Sequence, residues 1–154
     1  MLDTGIIFDY SLFMDHLSKE KRSENMAKIK SSNTKPELRV RSLLHKLGFR
    51  FRLNRNDLPG KPDLVLPKYR IALFVHGCFW HSHEGCRKSH LPGSNLDYWE
   101  KKLSRNKERD ANNQSRLESL GWKVVVVWEC ETKREHDLVE ILQQRLQPTV
   151  NQNK

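Results

Sequence analysis

Residues 70–86, RIALFVHGCFWHSHEGC, open as an apolar strand and close as a loop crowded with metal-binding and titratable side chains. From His76 to Cys86 that loop holds His76, Cys78, His81, His83 and Cys86, with Phe79 and Trp80 side by side among them. Packing alone has little use for so many such groups in so short a loop. They sort by chemistry: thiolates with imidazole suit zinc, and an imidazole near neutral pKa suits proton transfer at a phosphate. The paired aromatics suit contact with a nucleic acid.

Outward from this stretch the chain alternates strand and helix. Upstream, DLVL (63–66) pairs with RIALFVH (70–76) as an antiparallel hairpin across Pro67-Lys68-Tyr69. FRFRLN (49–54) alternates aromatic and basic residues and reads as a third strand, followed by a turn at Asn56–Gly60. Before it, Thr34-Lys35-Pro36-Glu37 forms a capping box that starts a helix ending near Leu47 and Gly48. That box gives Glu37 a complete structural role as its acceptor. Residues 19–30, KEKRSENMAKIK, are basic and helix-compatible, either a solvated helix or an arm on DNA.

Downstream, a long helix runs from about Asn95 to Leu120, with Ser94 as its predicted cap and Gly121 as its stop. Leu96, Trp99, Leu103, Leu117 and Leu120 form its apolar stripe, interrupted by Asn106, Asp110 and Asn113 at helical spacing. That interruption predicts a face turned to a polar site. WKVVVVWEC (122–130) reads as a buried strand, and residues 135–147 as a last helix with Leu138, Ile141, Leu142 and Leu146 inward. A strand after a crossover helix lies parallel to an earlier one, so the expected fold is a mixed α/β sheet sandwiched by helices.

The 154 residues suffice for one domain with a proper core, carry a net charge of +9 and contain three cysteines. No apolar run approaches a membrane span, and no secretory signal is visible. An odd cysteine count suits metal binding in a reducing compartment better than a disulfide framework, so the expected location is the cytoplasm. The basic balance favours a polyanionic partner. Residues 1–18 carry three Asp and no Lys or Arg, and read as an N-terminal extension, with Met14 an alternative start. The domain is expected over 19–148, with a tail at 149–154.

Cys78, His83, Cys86 and Cys130 make a Cys₃His set with no open position, hence a structural zinc site, although His81 fits the histidine position by spacing as well as His83. Asp63, at a strand start, is a hard oxygen ligand for Mg²⁺, and the hairpin brings it toward His76. Asn106 and Asp110 can complete that site. Hydrolysing a phosphodiester needs a metal to polarise the phosphate and a base for water, roles that suit Asp63 and either His76 or His81. Phe79 and Trp80 suit wedging between base steps, joined by Trp99.

Four blocks, SENMAKIKSSNTKPE, LPGKPDLVLPKYRIALFVHGCFWHSHEGC, YWEKKLSRNKERD and LESLGWKVVVVWEC, resemble the very short patch repair (Vsr) mismatch endonucleases over roughly residues 20–145. The resemblance implies a restriction-endonuclease-like fold in which Phe-x-His, here Phe74-Val75-His76, replaces Glu-x-Lys. It implies a Mg²⁺-dependent nick 5′ to the thymine of a T·G mismatch, the product of 5-methylcytosine deamination. On this resemblance Asp63 and the Val75 carbonyl hold Mg²⁺, and His81 activates water, oriented by Asp110. His76 and Glu37 support the site, and His83 is left for zinc. Phe79, Trp80 and Trp99 match the family's wedge; Lys21, Arg22, Asn25 and Met26 of the basic tract 19–30 are the DNA-contact candidates on the arm reading.

The implied partners are mismatched double-stranded DNA, a MutL-type mediator and a companion cytosine-5 methyltransferase system. A monomer is expected, since one nick needs one site. The rival readings are a restriction endonuclease cutting both strands of matched DNA and a non-catalytic zinc-stapled DNA-binding module. A binder has no need of a carboxylate–imidazole cluster.

Overall fold

A computed structural model describes residues 18–147 of the chain. The expected extension, except Ser18, and the expected tail lie outside the described residues. Helix α1 (Lys19–Ala27) is capped by Ser18 and buries none of its residues, as its charge pattern requires. Helix α2 (Lys35–Lys46) starts after the predicted cap residue Thr34, and Glu37 reaches back one residue further than a capping box requires, to the Asn33 N–H. Thr34 Oγ1 accepts the Glu37 N–H at 3.4 Å and donates to Glu37 Oε1 at 3.0 Å, while Glu37 Oε2 accepts the Asn33 N–H at 2.9 Å.

Four strands follow in the order β1 (Arg52–Leu53), β2 (Leu64–Leu66), β3 (Ile71–His76) and β4 (Lys123–Trp128), which is also their spatial order. β1 and β2 pair antiparallel, as do β2 and β3, whereas β4 runs parallel to β3. The hairpin and the parallel return are as the sequence predicts. β1 is much shorter than the alternation over 49–54 suggests. Phe49 and Phe51 drop onto the core beside Tyr69 instead of continuing the ladder.

Period-two alternation places Leu64, Leu66, Ile71, Leu73, Val125 and Val127 on one face of the sheet, under Val40 and Leu44 of α2 and Leu138 and Leu142 of helix α4 (Glu135–Arg145). Val65 and Ala72 point the other way, onto Leu117 of helix α3 (Leu96–Ser119). Truncating a fully buried leucine such as Leu44 or Leu73 to alanine removes about 2–5 kcal/mol. β4 is not buried on both faces as its apolar run suggests, since only Val125 and Val127 are fully enclosed. Val124 and Val126 floor a groove instead.

Two further expectations change. Asn95, with φ of 55°, and not Ser94, holds the cap position of α3, and the Asn95 side chain makes no capping hydrogen bond. Leu96 and Leu120, the ends of the predicted stripe, are 46% and 54% exposed, because α3 overshoots the sheet at both ends.

Candidate active site and metal centre

Because β3 and β4 are parallel and in register from Ile71↔Lys123 to His76↔Trp128, their C-terminal ends emerge together. Everything of chemical interest gathers at that edge. After His76 the backbone winds through tight turns: His81 N–H donates to the Gly77 carbonyl at 3.2 Å and His83 N–H to the Cys78 carbonyl at 2.9 Å. Ser89 Oγ lies 2.7 Å from the carbonyl oxygens of both His83 and Cys86, which share its one proton, and locks the far end.

This winding sends Cys78, His83 and Cys86 to one side, where Cys130 arrives on the 3₁₀ turn Glu129–Thr132 after β4. Their donor atoms lie within 4.8 Å of one another, with His83 Nδ1 3.4 Å from Cys130 Sγ. Tetrahedral zinc with Zn–S near ~2.3 Å sets neighbouring donors about 3.8 Å apart, so the cage matches with a small contraction. Burial pushes the Cys78 thiol up to about 12 and raises Cys130 too. Neutral thiols packed this way are the state from which a soft divalent cation displaces protons. The donor set fits a structural zinc ion.

His76 and His81 turn to the other side. Their rings stack 3.8 Å apart and nearly parallel, 6° between planes, and His81 Nδ1 meets Asp110 Oδ2 at 2.5 Å. Asp110 comes from the middle of α3, where the apolar stripe breaks. Asn106 Nδ2 donates to the Trp80 carbonyl at 3.0 Å, and Asn113 abuts Gly60. All three polar interruptions thus serve this edge. Parallel imidazoles direct their in-plane lone pairs alongside each other rather than at one point, so the trio is poorly shaped to chelate an ion. It suits proton transfer. Burial, reinforced by His81, pulls His76 down to about 4, which keeps its ring neutral near pH 7.

Asp63 sits just before β2 and accepts the Val75 N–H through Oδ2 at 2.7 Å. The bond fixes the carboxylate beside the Val75 peptide. Burial, only partly offset by that N–H and reinforced by Glu37, raises Asp63 to about 6. A nearby cation would oppose that rise, and a carboxylate beside a strand-end peptide offers hard oxygen donors of the kind Mg²⁺ takes. Glu37 is buried, bridged to Arg41 at 3.1 Å, and contributes to the same negative field. The loop before Asp63 comes close to α3: a Cβ on Gly60, whose φ is +73°, would lie 2.9 Å from Asn113 Cβ.

A family model described as "DNA mismatch endonuclease Vsr" matches residues 14–88. The type II nicking enzyme V.XorIIP of Xanthomonas oryzae pv. oryzae is 56% identical over 76% of this chain and 85% of its own length. The Vsr protein of Escherichia coli, a DNA mismatch endonuclease, is 42% identical over 84% of this chain and 83% of its own length. The chain belongs to the Vsr DNA mismatch endonuclease family. V.NmeAIP of Neisseria meningitidis, a type II nicking enzyme, is 51% identical over 77% and 84%. This Vsr-family chain is accordingly a DNA-nicking endonuclease. Its matched segment 14–88 holds Glu37, Asp63, His76, His81 and three zinc donors, while Asp110 and Cys130 come from beyond it.

In this Vsr-family fold the same edge opens into a groove of about 1470 Å³, lined by Asp63, His76, His81, Asp110 and Trp80. Phe79 and Trp99 do not line it. They are 7% and 6% exposed, packed with Leu103, and Trp80 stands half-buried against them. Met26 of α1 packs on this cluster and lines the groove, whereas Lys21, Arg22 and Asn25 do not line it. Sequence reading missed Lys102, whose Nζ lies 5.4 Å from the Trp80 ring centroid and 5.5 Å from that of Trp99, and Arg109, 3.6 Å from Asp110. The signal was present: Lys102, Asn106, Arg109 and Asn113 recur at helical spacing. Among the described residues no helix is long and apolar enough to cross a membrane.

Proposed function

We propose that this endonuclease, in a unit spanning residues 19–148 and acting as a cytoplasmic monomer, nicks DNA 5′ to the thymine of a T·G mismatch with Mg²⁺ as cofactor. The observation that carries the reading is the grouping of Asp63, His76, His81 and Asp110 on one groove edge beside Trp80. His81 donates its Nδ1 proton to Asp110, which leaves Nε2 as the base that takes a proton from the attacking water. His76 stacks under His81 and, being neutral, holds its ring without adding charge. Mg²⁺ held by Asp63 and the Val75 carbonyl would supply polarisation of the scissile phosphate. Glu37 supports Asp63 through its field. Zinc on Cys78, His83, Cys86 and Cys130 is structural.

Trp80 is the wedge, braced from behind by Phe79 and Trp99, so it enters the base stack without leaving a void. Lys21, Arg22, Asn25 and Met26 of α1 contact the backbone of the same duplex, and a MutL-type mediator and a cytosine-5 methyltransferase system are its functional companions. Two similar proteins, V.XorIIP and V.NmeAIP, are type II nicking enzymes, which favours a second reading, a nick that does not depend on a T·G mismatch. Nicking assays with Mg²⁺ on end-labelled duplexes test both. Single-strand cutting 5′ to T in T·G duplexes, absent on T·A and C·G controls, supports the mismatch reading. Cutting of matched DNA overturns it, and varying the flanks reveals the sequence requirement.

A further inference from the structure

Trp128 ends β4 and is the register partner of His76. It belongs to none of the buried apolar clusters of the described residues and lines the groove instead. Its ring neighbours are imidazoles from the two different sites. His83, a zinc donor, stacks on the indole at 4.1 Å with 3° between planes, and His76 meets it edge-on at 5.4 Å and 72°. His76 in turn stacks on His81. Two stacked pairs, His83–Trp128 and His76–His81, joined by one edge-on contact, therefore connect the zinc donors to the residue assigned as base. The Trp128 backbone N–H donates to Glu131 Oε2 at 2.9 Å, and both Glu131 oxygens are gripped by Arg145 at 2.6 and 2.7 Å. The indole thus hangs from a fixed backbone between one rigid cluster and one reactive pair.

We infer that Trp128 is a positioning residue, which transmits the rigidity of the zinc cage to the His76–His81 stack and so sets where His81 presents Nε2. The inference rests on the role proposed for His81 above. Phe74 also touches His76, at 5.6 Å and 53°, but no ring contact ties it to a zinc donor. Without the indole, His76 loses the edge contact that links it to the zinc donor His83.

The test uses zinc-loaded full-length wild type, W128L and W128F, with zinc content, kcat and KM on a T·G duplex, and ring-proton chemical shifts of His76 and His81. W128L is expected to keep its zinc and a KM within about twofold, while kcat falls by roughly ten- to a hundredfold, the cost of a displaced catalytic group. The ring-proton signals of both histidines should move, and W128F, which retains a flat ring, should recover most of kcat. Unchanged kcat in W128L overturns the inference. So does loss of zinc in both variants with kcat falling in proportion, which would make Trp128 part of the cage only. If wild type fails to nick T·G duplexes, the proposed function fails separately. The ring-proton shifts then decide alone, and unmoved His81 signals in W128L overturn the positioning role.

Discussion

The loop after β3 feeds two clusters by turns: His76 and His81 go to the groove, Cys78, His83 and Cys86 to the cage. They share one backbone yet differ in everything that matters chemically. The cage has four donors that satisfy a tetrahedral ion and leave no position for substrate. The groove cluster has one carboxylate bonded to one imidazole and an edge open to solvent, with His81 and Asp110 21% and 23% exposed. Interleaving the two makes the closed site the scaffold of the open one. A reactive imidazole on a free loop would sample many positions, whereas here His81 lies between two cage donors, Cys78 three residues before it and His83 two residues after it.

The largest break in this comparison comes from the cage. Cys130→Ser removes the donor that ties the loop to β4. It is expected to lose zinc and to destabilise the chain by several kcal/mol, a fall of roughly 10–20 °C in Tm. Nicking should disappear with the fold. Metal analysis and thermal denaturation check this. His81→Gln is the counterpart on the groove side. It should keep full zinc content and a Tm within a few degrees of wild type, yet lower kcat by about 10²–10⁴. If His81→Gln also shed zinc, the two clusters would not be separable.

Asp63 sharpens the contrast, because there stability and activity should move in opposite directions. Its carboxyl sits near 6 in the fold against an ordinary 3.8, chiefly through burial. Folding therefore favours the protonated acid. That contribution is fully present below about pH 3.8 and is lost as pH rises through 6, so at pH 8 the ionised group costs up to about 3 kcal/mol. Asp63→Asn is expected to abolish nicking while raising stability by about 1–3 kcal/mol in Mg²⁺-free buffer at pH 8, a gain that shrinks toward pH 4. Denaturant midpoints across that range measure it. A variant less stable than wild type at pH 8 would mean that the carboxylate is better solvated than its surroundings suggest.

Much of this was legible in the chain. The apolar runs of β2 and β3 on either side of the Pro67-Lys68-Tyr69 turn and the Thr34-Lys35-Pro36-Glu37 start of α2 are local signals, and each decided its element. The two ligand sets were nearly legible as well, but spacing left His81 and His83 interchangeable. What separates them is the direction of each turn after Gly77, set by backbone hydrogen bonds with no composition of their own. The burial of Trp99 was legible in its helical stripe with Leu103, whereas that of Phe79 was hidden. Adjacent aromatics on a loop look exposed until Leu103 and Met26, distant in sequence, arrive to cover them. The same holds for Trp128: a tryptophan ending an apolar run reads as core, and only the parallel register with His76 reveals its place between two imidazoles.

The smallest expected effect isolates how the cage side is anchored. Glu131 receives the Trp128 N–H and two guanidinium contacts from Arg145, and both partners are largely shielded, at 18% and 35% exposure. Lys46–Glu135, by comparison, is more than 60% exposed on both sides. Fork-shaped, shielded pairs retain energy that solvated ones lose. Glu131→Gln should thus cost about 1–2 kcal/mol, while Glu135→Gln should be neutral within about 0.5 kcal/mol. Since Gln still accepts the Trp128 N–H, zinc content and kcat of Glu131→Gln should stay within about twofold of wild type. A drop in kcat without a drop in zinc would instead show that the ion pair, and not the hydrogen bond, fixes the turn that carries Trp128 to the groove.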